Sequence, residues 1–195
     1  RIHYLNYFDK LTSLYNRAYV EMTLPELVKK ENLPLSVIML DMNGLKLVND
    51  VFGHEQGDRL LVALADALTQ ACRKDDIIGR WGGDEFIVLL PKTPSSVCAE
   101  VGAAIRRTMN AAAANPIPLS AAMGMATKDS SRTTLAEILL VAENRMYNNK
   151  LIESQEVRRN IVASMEAMLQ EHCFENAGHS ERVARLAAGF ADFLG

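Results

Sequence analysis

The sequence predicts an α/β sandwich, one mixed sheet with helices packed around it. Leu35-Ser36-Val37-Ile38-Met39-Leu40 is short, apolar and partly β-branched, which reads as a buried central strand ending at Asp41. Two β-rich runs, Ile77 to Arg80 and Glu85 to Leu90, flank the Gly82-Gly83 pair and read as a hairpin closed by Pro91. The segments around these strands carry apolar residues at helical spacing.

In chain order, Asp9-Lys10-Leu11-Thr12 reads as a helix start, with Asp9 capping free N–H groups or Thr12 capping the segment after it. Leu60, Leu64, Leu68 and Ala71, with Leu61 and Ala65 beside them, predict an amphipathic helix over 58–71. Val97, Val101, Ile105 and Met109 predict another over 96–113, residues 117–126 a strand, and Leu135, Ile138, Ala142 and Met146 a helix over 134–150. Beyond Lys150 the pattern turns charged and helical to about residue 170, breaks at Asn176-Ala177-Gly178, and resumes near His179. The expected organisation is therefore a domain over 1–152, followed by a helical linker and the start of another domain over 153–195.

Composition narrows the function. The 195 residues carry a formal net charge of -3, which gives no support to coating nucleic acid. Cys72, Cys98 and Cys173 are scattered and odd in number, arguing for a reducing compartment rather than a disulfide framework. No stretch approaches the roughly 20 apolar residues that span a bilayer. The expectation is a soluble, cytoplasmic chain.

The chemistry gathers at acids. Asp41 ends a strand and Asp84-Glu85 sit in a hairpin turn, so if the two strands are neighbours their carboxylates converge. Hard oxygen ligands of this kind suit Mg²⁺, which keeps few protein carboxylates and completes its shell with water and phosphate. Gly82-Gly83 permits a tight turn and leaves room for a ligand. A Gly-Gly-Asp turn alone is more often structural. A calcium loop starting at Asp41 fails, because Lys46 and Phe52 stand where glycine and glutamate are required.

Three blocks carry a resemblance. Asp9-x-Leu11-Thr12-x-Leu14-Tyr15-Asn16-Arg17 comes first, then Asp41-Met42-Asn43-Gly44-Leu45-Lys46-x-x-Asn49-Asp50-x-x-Gly53-His54-x-x-Gly57-Asp58, then Arg80-Trp81-Gly82-Gly83-Asp84-Glu85-Phe86. In order and spacing they resemble the signature blocks of GGDEF diguanylate cyclases over about residues 5–150. The resemblance implies a palm-like fold shared with nucleotide cyclases and polymerases. It implies condensation of two GTP into cyclic di-GMP and two pyrophosphates with Mg²⁺ or Mn²⁺, by a homodimer in which each domain holds one GTP.

By the same resemblance, Asp41, Asp84 and the Met42 carbonyl would hold the metal. Asp84 would activate the 3′-hydroxyl, Glu85 would support the metal site, and Gly82 and Gly83 would line the substrate. Asn49 and Asp58 would read the guanine edge, Lys46 would neutralise phosphate charge, and Lys150 would reach the terminal phosphate. Arg73 and Asp76 form an Arg-x-x-Asp at the spacing of a product-inhibition site, roughly 20 Å from the turn along an extended strand.

There are departures. Asn43 and Gly44 replace an acid and an aromatic found in many relatives, and Glu153-Ser154-Gln155 replaces a Gly-Arg-Asn block whose arginine touches phosphate. His179-Ser180-Glu181-Arg182-Val183 resembles the opening of an HD or HD-GYP phosphohydrolase domain. The competing functional expectation is a catalytically quiet GGDEF module that binds GTP or cyclic di-GMP as a sensor.

Overall fold

The computed structural model describes residues 7–112, 117–130 and 133–172, and the side chains of all of these except 154–158 and 164–172. The elements in order are β1 (Tyr15–Asn16), α1 (Arg17–Leu27), a 3-10 turn (Lys30–Asn32), β2 (Leu35–Met42), α2 (Leu45–Phe52), α3 (His54–Ala71), β3 (Ile77–Arg80), β4 (Glu85–Leu90), α4 (Ser95–Ala111), β5 (Ala121–Lys128) and α5 (Leu135–His172). The sheet has the order β1-β3-β4-β2-β5. It is mixed because β1 pairs parallel to β3, whereas β3, β4, β2 and β5 pair antiparallel in turn.

All eight residues of β2 are buried, as a strand covered on both faces requires. Strand alternation sorts the core into two layers. Ile38, Leu40, Phe86, Val88 and Met123 face α3 and α4. Val37, Met39, Ile87, Leu89 and Ala122 face α1 and α5. Phe86 is fully buried, and a side chain of that size contributes about 1.5–3 kcal/mol by leaving water.

Several elements depart from the sequence expectation. Asp9 caps no helix: its Oδ1 accepts from the backbone N–H of Thr12 at 2.9 Å and from its hydroxyl at 2.7 Å, closing a turn. Nor does Thr12 start one; the helix that follows begins at Arg17, capped by Asn16, whose side chain accepts from the Tyr19 N–H. The strand expected over 117–126 runs from 121 to 128. Pro118 has no N–H to give a ladder, so Ile117 and Leu119 are buried without joining the sheet. The helices expected on either side of Lys150 are one helix of 38 residues, which crosses position 152 without a break.

Among the described residues no helix is long and apolar enough to cross a membrane. Cys72 and Cys98 are free. The stretch starting at His179 lies outside the described residues.

Candidate active site

The site is built at the ends of two neighbouring strands. β2 and β4 pair so that Asp41 stands opposite Glu85, and directly opposed residues put their side chains on the same face. That face is the one packed by α5, because Asp41 shares the parity of Val37 and Met39 and Glu85 that of Ile87 and Leu89. Asp84 joins them through the backbone, its carbonyl accepting from the Met42 N–H at 2.9 Å. The convergence expected from sequence is therefore present, and α5 adds a cation to it: Lys150 Nζ donates to Asp41 Oδ1 at 2.6 Å.

The electrostatics are those of crowded acids. Burial raises the Asp41 carboxyl above its ordinary value of 3.8 and the Asp84 charge adds to the rise, while Lys150 pulls it back through a hydrogen bond and its charge. Glu85 is raised above 4.5 by burial first, then by Asp41, Asp84 and Glu143, against a smaller opposing pull from Lys150. A raised folded-state pKa means that the group's contribution favours the fold fully below 4.5 and is lost as pH rises through the higher value. Ionised Glu85 thus opposes folding near neutrality. Glu85→Gln is expected to raise the melting temperature at pH 7 in the absence of divalent ions, with the gain shrinking as the pH is lowered toward 4.5. An unchanged or lower melting temperature for the variant at pH 7 would contradict this.

These residues fit a divalent cation. Among the described residues no group of three or more acidic, histidine or cysteine side chains closes on one point. Mg²⁺ does not need one, since it commonly takes one or two carboxylates and leaves the other positions to water and phosphate. Asp41 and Asp84 repel each other across the strand ends, and a divalent charge between carboxylates relieves such repulsion.

The turn is held by a residue that motif reading did not single out. Arg80 donates to the Gly83 carbonyl through Nε at 3.2 Å and Nη2 at 2.6 Å, and through Nη1 to Asp9 at 3.1 Å. Asp9 and Arg80 open the first and third signature blocks, and the structure gives the reason for their joint presence. Neither Gly82 nor Gly83 needs a left-handed backbone; the positive-φ glycines are Gly44 and Gly53. Space is what they provide. A Cβ at Gly82 would lie 2.6 Å from the Glu85 carboxylate, whereas one at Gly83 would meet nothing within 4 Å.

Of the other predicted residues, Lys46, Asn49 and Asp58 lie on α2 and α3, which meet at Gly53. Asn49 Oδ1 is buried and has no hydrogen-bond partner, an unusual state for an amide oxygen. It is packed against Gly57, where a Cβ would come within 1.9 Å of it. Asp58 follows Gly57 and is exposed, and Lys46 is exposed in the first turn of α2. Arg73 and Asp76 form a separate group beside β3. The Arg73 N–H and guanidinium both donate to the Asp76 carboxylate, and the guanidinium also donates to Thr93 Oγ1 at 2.7 Å. They line a pocket of about 320 Å³ with Phe8 and Tyr15. A cavity of about 450 Å³ between α4, β5 and α5 contains none of the predicted residues.

Residues 6–156 match the family described as diguanylate cyclase, GGDEF domain. Diguanylate cyclase DgcM of Escherichia coli strain K12 is 28% identical over 156 residues, covering 77% of this chain and 37% of DgcM. The chain thus spans little more than a third of that relative. Diguanylate cyclase SiaD from Pseudomonas aeruginosa, solved in complex with its activator SiaC, matches with a TM-score of 0.67 at 30% identity, covering 73% of this chain and 57% of SiaD. A microbial GGDEF domain solved for its interaction with bis-(3,5)-cyclic di-GMP matches with a TM-score of 0.64 at 30% identity, covering 75% and 94%. With Asp41 and Glu85 paired at the β2–β4 ends and the family match running through almost all of the described chain, this protein belongs to the GGDEF diguanylate cyclase family.

Proposed function

We propose that this domain is an active diguanylate cyclase, joining two GTP molecules into cyclic di-GMP with release of two pyrophosphates. The observation that carries the reading is the meeting of Asp41, Asp84 and Glu85 at the β2–β4 ends, with Lys150 against Asp41, together with a buried Asn49 oxygen on α2 that lacks a donor. Guanine supplies donors on its N1 and 2-amino groups. In this reading Asn49 Oδ1 and the Asp58 carboxylate accept from them, while adenine offers no such edge.

Asp41, Asp84 and the Met42 carbonyl would hold Mg²⁺ or Mn²⁺, with Glu85 in support. Bound there, the metal would lower the proton affinity of the attacking hydroxyl and balance charge on the departing pyrophosphate. In the reaction the 3′-oxygen of one GTP attacks the α-phosphorus of the other. In this reading Asp84 would take the hydroxyl proton. Lys150 and Lys46 supply positive charge to the phosphates, and the open space at Gly83 admits them to the turn. Each domain holds one nucleotide, so two copies must face each other, and control of that encounter sets activity. Arg73 and Asp76 would bind the product's phosphate and base and hold back that encounter, a reading supported by the exposed Arg73 guanidinium and the aromatic walls of their pocket.

Two measurements test the nucleotide assignment. A GTP analogue with Mg²⁺ is expected to bind and an ATP analogue to bind at least about tenfold more weakly; equal affinity would remove the guanine assignment. Gly57→Ala is expected to push the Asn49 amide out of place and weaken the GTP analogue about tenfold, with a small change in melting temperature. Undiminished affinity in that variant would show that Asn49 does not read the base.

A further inference from the structure

Within one turn and a half of α5, three side chains tie the helix to the active-site edge. Asn149 Nδ2 donates to the Met123 carbonyl at 2.6 Å, Lys150 Nζ to Asp41 at 2.6 Å, and Glu153 Oε2 accepts from Asn43 Nδ2 at 3.2 Å. The first two act on the sheet itself. Glu153 reaches the segment that follows Met42, and its second oxygen faces the Arg106 guanidinium at 3.4 Å.

Asn43 is 5% exposed and directly follows the carbonyl assigned to the metal. Its N–H donates to the Ser120 carbonyl at 2.9 Å, and its Nδ2 reaches Ser120 Oγ at 3.0 Å as well as Glu153. A hydroxyl can donate or accept, but a carboxylate only accepts, so Glu153 is the partner that decides which way round the amide sits. An acid at position 43 would meet Glu153 as a like charge at hydrogen-bond distance. Here the carboxylate stands on the helix and the amide on the strand end. The two substitutions that read as separate departures in the sequence are one matched contact in the fold.

We propose that Glu153 is a positioning residue: through Asn43 it fixes the Met42 carbonyl, and by locking α5 against the strand end it sets Lys150 for the nucleotide phosphates. The proposal rests on the cyclase reading for its choice of substrate. It assigns a role to the stretch that lacks the phosphate-binding arginine, and Arg106 offsets the carboxylate charge that this role brings near the site.

The test is a set of variants in the full chain, assayed with GTP and Mg²⁺. Glu153→Ala is expected to raise KM for GTP about fivefold with kcat changed less than about twofold, and Glu153→Gln, which can still accept from Asn43, to stay within about twofold of the unaltered protein. Asn43→Asp is expected to raise KM about tenfold, and adding Glu153→Gln, whose amide can donate to the new carboxylate, to bring it back within about threefold. Loss of folded protein alone would lower kcat and leave KM in place. An unchanged KM in Glu153→Ala, or losses in the double variant that simply multiply, would overturn the proposal. If Asn43→Asp fails to fold, the contrast between Glu153→Ala and Glu153→Gln decides. If the unaltered protein makes no cyclic di-GMP, the cyclase reading fails, and the same variants are compared by their Kd for a non-hydrolysable GTP analogue with Mg²⁺. A Kd for Glu153→Ala raised about fivefold then supports the contact, and an equal Kd, or no binding by any form, overturns it.

Discussion

Asp84→Ala is expected to cut the rate of cyclic di-GMP formation by about tenfold or more, because a carboxylate assigned to both metal and proton transfer is removed. The fold should not suffer. What Asp84 contributes to the strand ends is its backbone carbonyl, which accepts from Met42 at 2.9 Å and is present in alanine as well. Removing one of several repelling acids also relieves Asp41 and Glu85. The variant should therefore melt no lower than the parent while losing its rate, a separation that steady-state assays and thermal unfolding read directly. An unchanged rate would refute the role.

Gly124→Ala is expected to have the opposite signature, a large loss of stability. Gly124 lies in β5 on the face packed by α5, and a Cβ there would come within 2.0 Å of the Ala142 carbonyl oxygen and 2.3 Å of the Met146 nitrogen. Both atoms are helix backbone, so no side-chain rotation relieves the overlap, and α5 would have to lift from the sheet. Overpacking of this kind costs about 3 kcal/mol, which in a domain of this size lowers the melting temperature by roughly 6–12 °C. Gly83→Ala is the control, since a Cβ there meets nothing within 4 Å and the melting temperature should hold. Thermal unfolding of the two variants side by side checks the contrast. A Gly124→Ala protein as stable as its parent would mean that α5 does not seat on β5 this closely.

The central strand and the hairpin were legible because each is a local pattern: an apolar run with an acid at its end, and two β-rich runs around a glycine pair. Convergence of their acids was conditional on the two strands being neighbours, and the register of Asp41 against Glu85 meets that condition. Less local features escaped. α1 is obscured by Pro25 inside it, and α2 is only eight residues long, so neither shows a sustained helical period. The start of β5 was misjudged because Pro118 interrupts an apolar run without changing its hydrophobicity. The charge break after Lys150 suggested two helices, but polarity on one side of a helix does not end it, and α5 continues.

The contacts that complete the site were hidden for a different reason. Lys150 and Asp41 are separated by 109 positions and Asn43 and Glu153 by 110, and no spacing rule links residues so far apart. The signature blocks named the candidate residues because they keep order and spacing, but gave no view of what fixes them. Arg80 on the Gly83 carbonyl is a case in point, a residue inside a quoted block whose work is visible only in the folded turn.

In the proposed reading this edge turns GTP into cyclic di-GMP between two copies of the domain. The most direct test is incubation with GTP and Mg²⁺ over a series of protein concentrations, with cyclic di-GMP and pyrophosphate both quantified. One cyclic di-GMP is expected for each pair of pyrophosphates, with a rate per protein molecule that climbs as the protein is concentrated and the copies meet. GTP that remains bound and unconverted at high protein concentration would contradict it.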